Sequence, residues 1–333
     1  MTEPVSRPTA AAAPTPAPIF RVHLTLLLVQ LSFGGFHVVA KALLSHLSPL
    51  ALAAIRVGFA TPILLALAWH RDRVLPARRD LPVLALLGGL GVFANQLLFI
   101  TGLKHTTATN AAILMLSVPV FATAAGAALG IERVSAGKVL GIALSIAGAL
   151  VLVNPLHFST DPQTARGNLL ILCNGLCYAL FLVLQRPVLT RLPWRTVIAW
   201  SFLFGGLGVL AVATPALAAL EPSQISVGTW LGLLYILAFP TVFAYAASTW
   251  AIRRSSPALV AAYTTLQPLV AAALAVTFLG ERFGWAQGLG FVLILGGLWL
   301  VTVAAPARPF GADPHSPNPL SPSLPPARRE RGG

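Results

Sequence analysis

The sequence predicts an all-α integral membrane protein whose ten transmembrane helices form two inverted five-helix repeats. Three observations predict it: long apolar runs, a charge bias that alternates between successive loops, and a self-match at an offset of 149 residues.

Of 333 residues, 56% are hydrophobic and 9% charged, and the mean hydropathy is +0.81. Soluble domains carry about 25% charged residues, so a surface this poor in charge must face hydrocarbon. The apolar residues fall into runs at 22–40, 49–69, 82–102, 107–129, 136–154, 167–186, 196–216, 228–251, 257–279 and 285–304. Each is roughly as long as a helix must be to cross a hydrocarbon core of about 30 Å. The joining loops are short, which confines any chemistry to the space among the helices.

Residues 1–20 are rich in Ala and Pro and lack an apolar core, so they read as a disordered leader and not a signal peptide. Residues 306–333, rich in Pro, Ser and Arg, read as a disordered tail. Between them lie a first five-helix unit at 21–155 and a second at 166–305.

The formal net charge of +13 does not form a nucleic-acid patch, because the basic residues stand singly between apolar runs. Their placement is topological, since cytoplasmic loops retain Lys and Arg. With the amino terminus inside, inner loops hold Arg71, Arg73, Arg78, Arg79, Arg133, Lys138, Arg186, Arg191, Arg195, Arg253 and Arg254. Outer loops hold Lys41, Lys104, Arg166 and Arg282. Eleven against four favours this orientation and an even helix count. Both termini are then cytoplasmic, and the expected location is the inner (plasma) membrane.

At the 149-residue offset, Pro119 falls on Pro268, Glu132-Arg133 on Glu281-Arg282, Gly141 on Gly290 and Gly148 on Gly297, without a gap. Five helices per unit is an odd number, so the second unit enters the membrane from the opposite side. Inverted repeats give one protein two mirror-related conformations of similar energy around a midplane site, which is what a carrier needs.

The run GLKHTTATNAA at 102–112, the proline at 119, GIERVS at 130–135 and its echo LGERFGWAQGLG at 279–290 resemble the EamA-type transporters of the drug/metabolite transporter (DMT) superfamily. His105 stands where many relatives carry an aromatic residue. The resemblance implies two inverted halves and a central cavity lined chiefly by the first, third, fourth, sixth, eighth and ninth helices. It also implies amino acids, related metabolites or amphipathic drugs as substrates.

None of the nine acidic residues lies in the middle of a span, so the intramembrane carboxylate that many coupled carriers use is missing. The chain has no HExxH, no G-x-S-x-G and no Walker loop, which argues against catalysis and ATP-driven pumping. Cys173 and Cys177, one helical turn apart inside a span, read as packing residues. No metal and no cofactor is expected.

Arg56 sits about two turns inside the second helix. It either snorkels to the outer headgroups or pairs with helix-end carbonyls, or it attracts an anionic substrate group or holds a gate. His37 is the one histidine well inside a span and the best candidate proton carrier. Candidate substrate-binding residues are His37, Asn95, Gln96, Asn110, Asn174, Tyr178, Tyr245, Trp250, Tyr263 and Gln267. Each could simply tie helix to helix, but together they fall on the helices that the resemblance places around the cavity. Pro119 and Pro268 interrupt the helical ladder at related positions and, with Arg56, are the gating candidates. Gly137, Gly141 and Gly148, with Gly288, Gly290 and Gly297, are assigned to helix packing.

The expected function is secondary transport, by alternating access, of a small organic solute, most simply export. An importer or uncoupled facilitator is the alternative, and a membrane-embedded enzyme or assembly factor a more distant one. The expected partners are a small-molecule substrate and the lipid bilayer, with proton coupling and a homodimer left open, and no nucleic acid.

Overall fold

The computed structural model describes residues 19–132, 134–153, 162–220, 225–270 and 285–304. Among the described residues every regular element is helical. Seven segments are long and apolar enough to cross a membrane: Ile19–Leu43, Pro49–Arg71, Arg78–His105, Asn110–Ala128, Pro162–Leu189, Trp194–Ala218 and Val227–Arg254. Two shorter apolar helices cover Ala136–Gly148 and Gly288–Ala304. The expected span at 257–279 is described only as far as residue 270. Its remainder, the Glu281-Arg282 half of the repeat motif, Arg133, residues 1–18 and the expected tail at 306–333 lie outside the described residues, while Ile19 and Phe20 of the expected leader already belong to the first helix.

The helices are α1 (Ile19–Leu43), α2 (Pro49–Arg71), α3 (Leu81–Gly88), α4 (Asn95–His105), α5 (Ala108–Leu114), α6 (Ser117–Ala128) and α7 (Ala136–Val153). There follow α8 (Pro162–Leu189), α9 (Trp194–Ala218), α10 (Val227–Ile236), α11 (Ala244–Arg254), α12 (Pro257–Ala262) and α13 (Trp285–Ala304). Hydroxyl side chains start several of them. Ser48, Thr107, Ser226 and Ser256 accept from the backbone N–H groups of Ala51, Asn110, Thr229 and Leu259, which would otherwise have no partner in the first turn. Pro49 and Pro257 follow two of these caps, where their missing N–H costs nothing.

Four expected spans are not uniform α-helices. A π-helical turn at Gly89–Ala94 joins α3 to α4, and another at Leu237–Phe243 joins α10 to α11. Pro240, which cannot donate to the ladder, explains the second, and the glycines at 88, 89 and 91 permit the first. Between α5 and α6 the ladder tightens at Met115–Leu116, because Pro119 offers Met115 no N–H; the Met115 carbonyl accepts from Val118 instead, at 3.1 Å. After α12 a 3-10 turn covers Tyr263–Leu266, and there the Thr264 carbonyl accepts from Gln267, the residue before Pro268. The two π turns, and the two proline turns, match at the 149-residue offset.

The polarity of the molecule is inside out. Phe59, Trp69, Leu207 and Trp299 stand on the outer face, whereas Gln30, Arg56, Gln96, Gln185 and Gln267 are buried. This is the distribution that a hydrocarbon solvent selects.

Helices α7 and α13 run antiparallel. Gly137 faces Ala304, Gly141 faces Gly297 and Val301, and Gly148 faces Gly290 and Leu293. A Cβ on Gly141 would lie 2.6 Å from the Gly297 carbonyl oxygen, so only glycine allows the two backbones this close. Gly137, Gly141, Gly148, Gly290 and Gly297 therefore pack against each other's helices.

Matched contacts also cap helix ends. The Lys41 ammonium donates to the carbonyls of Leu103 (2.7 Å), Lys104 (3.3 Å) and Thr106 (2.6 Å) at the end of α4. The Arg186 guanidinium donates to the Ile252 carbonyl at the end of α11. Leu103 and Ile252 are 149 residues apart, and Lys41 and Arg186 are 145 apart.

Candidate functional site

A cavity of about 40 Å³ lies between the halves. It is lined by Phe33, Phe36 and His37 of α1, Arg56 of α2, Asn95, Gln96 and Phe99 of α4, and Met115. Asn174 and Tyr178 of α8, Tyr245 of α11, and Gln267 complete it. These are the six helices that the resemblance implies, joined by the second through Arg56. In this conformation the cavity has room for on the order of two or three waters.

The π turns set the polar wall. Gln96 follows the first by two residues and Tyr245 the second by two, and these residues are counterparts at the 149-residue offset. The Tyr245 hydroxyl donates to Asn95 Oδ1 at 2.8 Å and to the Gly91 carbonyl at 3.1 Å, while Asn174 Nδ2 donates to the Asn95 carbonyl at 2.8 Å. One network thus ties α4, α8 and α11 together.

Arg56 does not snorkel; its side chain is turned inward, and the residue is 3% exposed. Nε donates to Thr241 Oγ1 at 2.7 Å and Nη1 to Gln96 Oε1 at 2.6 Å. The guanidinium carbon stands 4.2 Å from the centre of the Phe36 ring. Thr241 lies in the second π turn, and its hydroxyl donates a hydrogen bond to the Ile236 carbonyl at 2.6 Å, which leaves an oxygen lone pair to accept from Arg56. The inward turn has this physical reason: two neutral acceptors and a ring face satisfy part of the guanidinium inside the bundle. A cation at mid-membrane still costs roughly 2.5–3.5 kcal/mol on insertion scales.

His37 is anchored by Gln267. Their Nε2 and Oε1 atoms are 3.0 Å apart, and Gln267 Nε2 donates to Gln30 Oε1 at 3.0 Å. With the amides oriented this way, Gln267 Oε1 can only accept, so neutral His37 carries its proton on Nε2 and exposes the Nδ1 lone pair. Among the described residues His37 Nδ1, Gln96 Nε2 and Asn174 Oδ1 are buried without a partner.

Aromatic rings form the remaining wall. Phe36 stacks on Phe99 at 5.2 Å, and Phe33 meets both Tyr178 and Tyr245 edge-on at 6.3 Å.

Of the residues singled out in the sequence, His37, Arg56, Asn95, Gln96, Asn174, Tyr178, Tyr245 and Gln267 converge here. Asn110, Trp250 and Tyr263 do not line the cavity. Asn110 is buried in α5, Trp250 lies under the Arg254 guanidinium at 4.4 Å, and the Tyr263 hydroxyl is 2.5 Å from His23 Nδ1. Pro119 and Pro268 are buried just beyond the turns they cause. Sequence reasoning missed Phe33, Phe36, Phe99 and Met115, and also the supporting residues Gln30 and Thr241. A signal existed for part of these: Gln30, Phe33 and His37 share one face of α1 at helical spacing. The described residues contain no cluster of side chains able to hold a metal, and both cysteines are free, with Cys173 exposed.

A bundle of membrane-crossing helices closed around a small cavity of aromatic rings and convergent polar side chains defines a multi-pass membrane protein. The EamA-like transporter family matches the chain twice, at residues 20–154 and 165–303, and the chain belongs to that family. An uncharacterized transporter of Archaeoglobus fulgidus is 31% identical over 288 residues, covering 85% of this chain and 97% of the relative. Protein WALLS ARE THIN 1 of Arabidopsis thaliana is 28% identical over 324 residues, covering 84% of this chain and 82% of the relative. A solved crystal structure shares the fold with a TM-score of 0.70 at 20% identity, covering 86% of this chain and 96% of the other.

Proposed function

We propose that the protein is a secondary transporter that exports a small organic solute, such as an amino acid, metabolite or amphipathic drug, by alternating access. The observation that carries this reading is the cavity itself. It takes His37, Arg56, Asn95 and Gln96 from the first half and Asn174, Tyr178, Tyr245 and Gln267 from the second. A site shared between two halves opens to one side or the other as the halves rock.

On this reading the chain has ten spans in two inverted units, with both termini cytoplasmic. Support comes from the antiparallel α7–α13 pair, from the matched turns and caps, and from the two family matches of similar length. Proton coupling runs through His37, whose Nδ1 is buried without a partner among the described residues.

Counterflow into liposomes holding the purified protein tests the proposal. A preloaded solute should accelerate uptake of its labelled form, and an imposed proton gradient should change net flux. Absence of counterflow across a broad solute panel, from protein that remains folded, would overturn it.

A further inference from the structure

We infer that the site selects a net-anionic solute, a small monocarboxylate with an apolar body, over zwitterions, neutral analogues and cations. The inference rests on the carrier reading above and narrows its substrate.

Arg56 carries the fixed charge of the cavity, and among the described residues no carboxylate pairs with it. The three acidic side chains among the described residues are engaged elsewhere, at helix ends: Asp72 with Arg195, Asp80 with Arg191 and Glu132 with Lys138. The sequence keeps all nine acidic residues out of the middle of the spans. The guanidinium is held by a threonine hydroxyl and a glutamine carbonyl, both neutral, and Nη2 has no hydrogen-bond partner among the described residues. Beside it Gln96 Nε2 is a buried donor without a partner. A guanidinium edge and an amide N–H present the parallel donors that a carboxylate accepts.

The rest of the lining agrees with this class. An ammonium group would need a carboxylate, and none of the described residues that line the cavity supplies one. The rings of Phe33, Phe36, Phe99 and Tyr178 suit an apolar body. Thr241 of the second half and Gln96 of the first both hold the guanidinium, so Arg56 reports anion binding to both halves.

Four probes with one apolar body separate the classes: phenylacetate, phenylacetamide, phenylalanine and phenethylamine. Thermal stabilisation and counterflow are measured with the full-length protein. Phenylacetate, or a longer or shorter monocarboxylate run beside its own amide, should stabilise and exchange, and the three uncharged, zwitterionic or cationic bodies should not. Arg56→Gln should weaken carboxylate binding roughly tenfold or more. Gln96→Glu is the second variant: it installs a counter-ion, so the free protein should become more heat-stable while carboxylate stabilisation disappears. Preference for the amide, the amino acid or the amine would overturn the anion inference and leave the carrier intact. So would carboxylate binding that survives both variants. Failure of every carboxylate, together with counterflow by some other solute, overturns the inference alone; failure of all counterflow removes the carrier reading as well.

Discussion

Ser145 and Ile294 are 149 positions apart in sequence and touch in space: the Ser145 hydroxyl donates to the Ile294 carbonyl at 3.3 Å. A residue that meets its own counterpart sits where a local twofold axis would pass, since reciprocal contacts then fall on either side of it. Gly141 against Gly297 and Gly148 against Gly290 are such a reciprocal pair. This contact joins a pattern visible in sequence to the antiparallel packing of α7 and α13.

Gly141→Leu should separate these helices. Its side chain would start 2.6 Å from the Gly297 carbonyl and 2.8 Å from Val301, and overpacking of this kind costs about 1–3 kcal/mol. The expected result is a lower unfolding temperature for the purified protein and less of it in the membrane. Gly296→Ala, on the same helix pair, is the control, because a Cβ there meets only Leu144, at an ordinary 3.9 Å.

Asn95→Ala, Tyr178→Ala and Gln267→Ala should each reduce flux without reducing membrane abundance. Asn95 and Gln267 bond across helices in the cavity wall, and Tyr178 supplies ring surface. Flux equal to that of the parent in all three would remove the cavity from the transport path.

Pro119→Ala and Pro268→Ala restore an N–H that could bond to the Met115 and Thr264 carbonyls, straightening the turns at 115–116 and 263–266. If these turns are hinges of a paired gate, both variants should reach the membrane normally and exchange solute more slowly. Unchanged exchange rates would assign both prolines to packing.

Lys41→Ala and Arg186→Ala each strip a cation from the carbonyl end of a helix. The expected loss of stability is about 1 kcal/mol for either, from the charge-assisted hydrogen bonds and the helix dipole. Lys41→Arg and Arg186→Lys should recover most of it in the same thermal assay.

Much of the helical layout was legible because burial in lipid writes long apolar runs into sequence: each described helix of the bundle lies over one of those runs. The π turns were not legible. Gly89–Ala94 and Leu237–Phe243 are as apolar as their surroundings, and only Pro240 hinted at a break. Their effect is to rotate the residues that follow, which brings Gln96 and Tyr245 to the cavity. Trp250 and Tyr263 went the other way. Aromatic residues on a cavity helix need not face the cavity, and neighbours at Arg254 and His23 hold these two elsewhere. The inward turn of Arg56 depended on Thr241, a partner 185 residues distant, which no local pattern reveals.

Opposed insertion of the two halves is the central claim, and the loops after α1 and α8 test it. Ser45 and Thr190 are exposed, and each donates its hydroxyl to the carbonyl three residues earlier, at Ala42 and Pro187. Single cysteines placed at Ser45 and at Thr190, in protein with Cys173 and Cys177 changed to Ser, can be labelled in intact cells with a membrane-impermeant maleimide. Labelling at 45 without permeabilisation, and at 190 only after it, is the predicted result. Labelling of both sites from the same side would contradict the inverted arrangement.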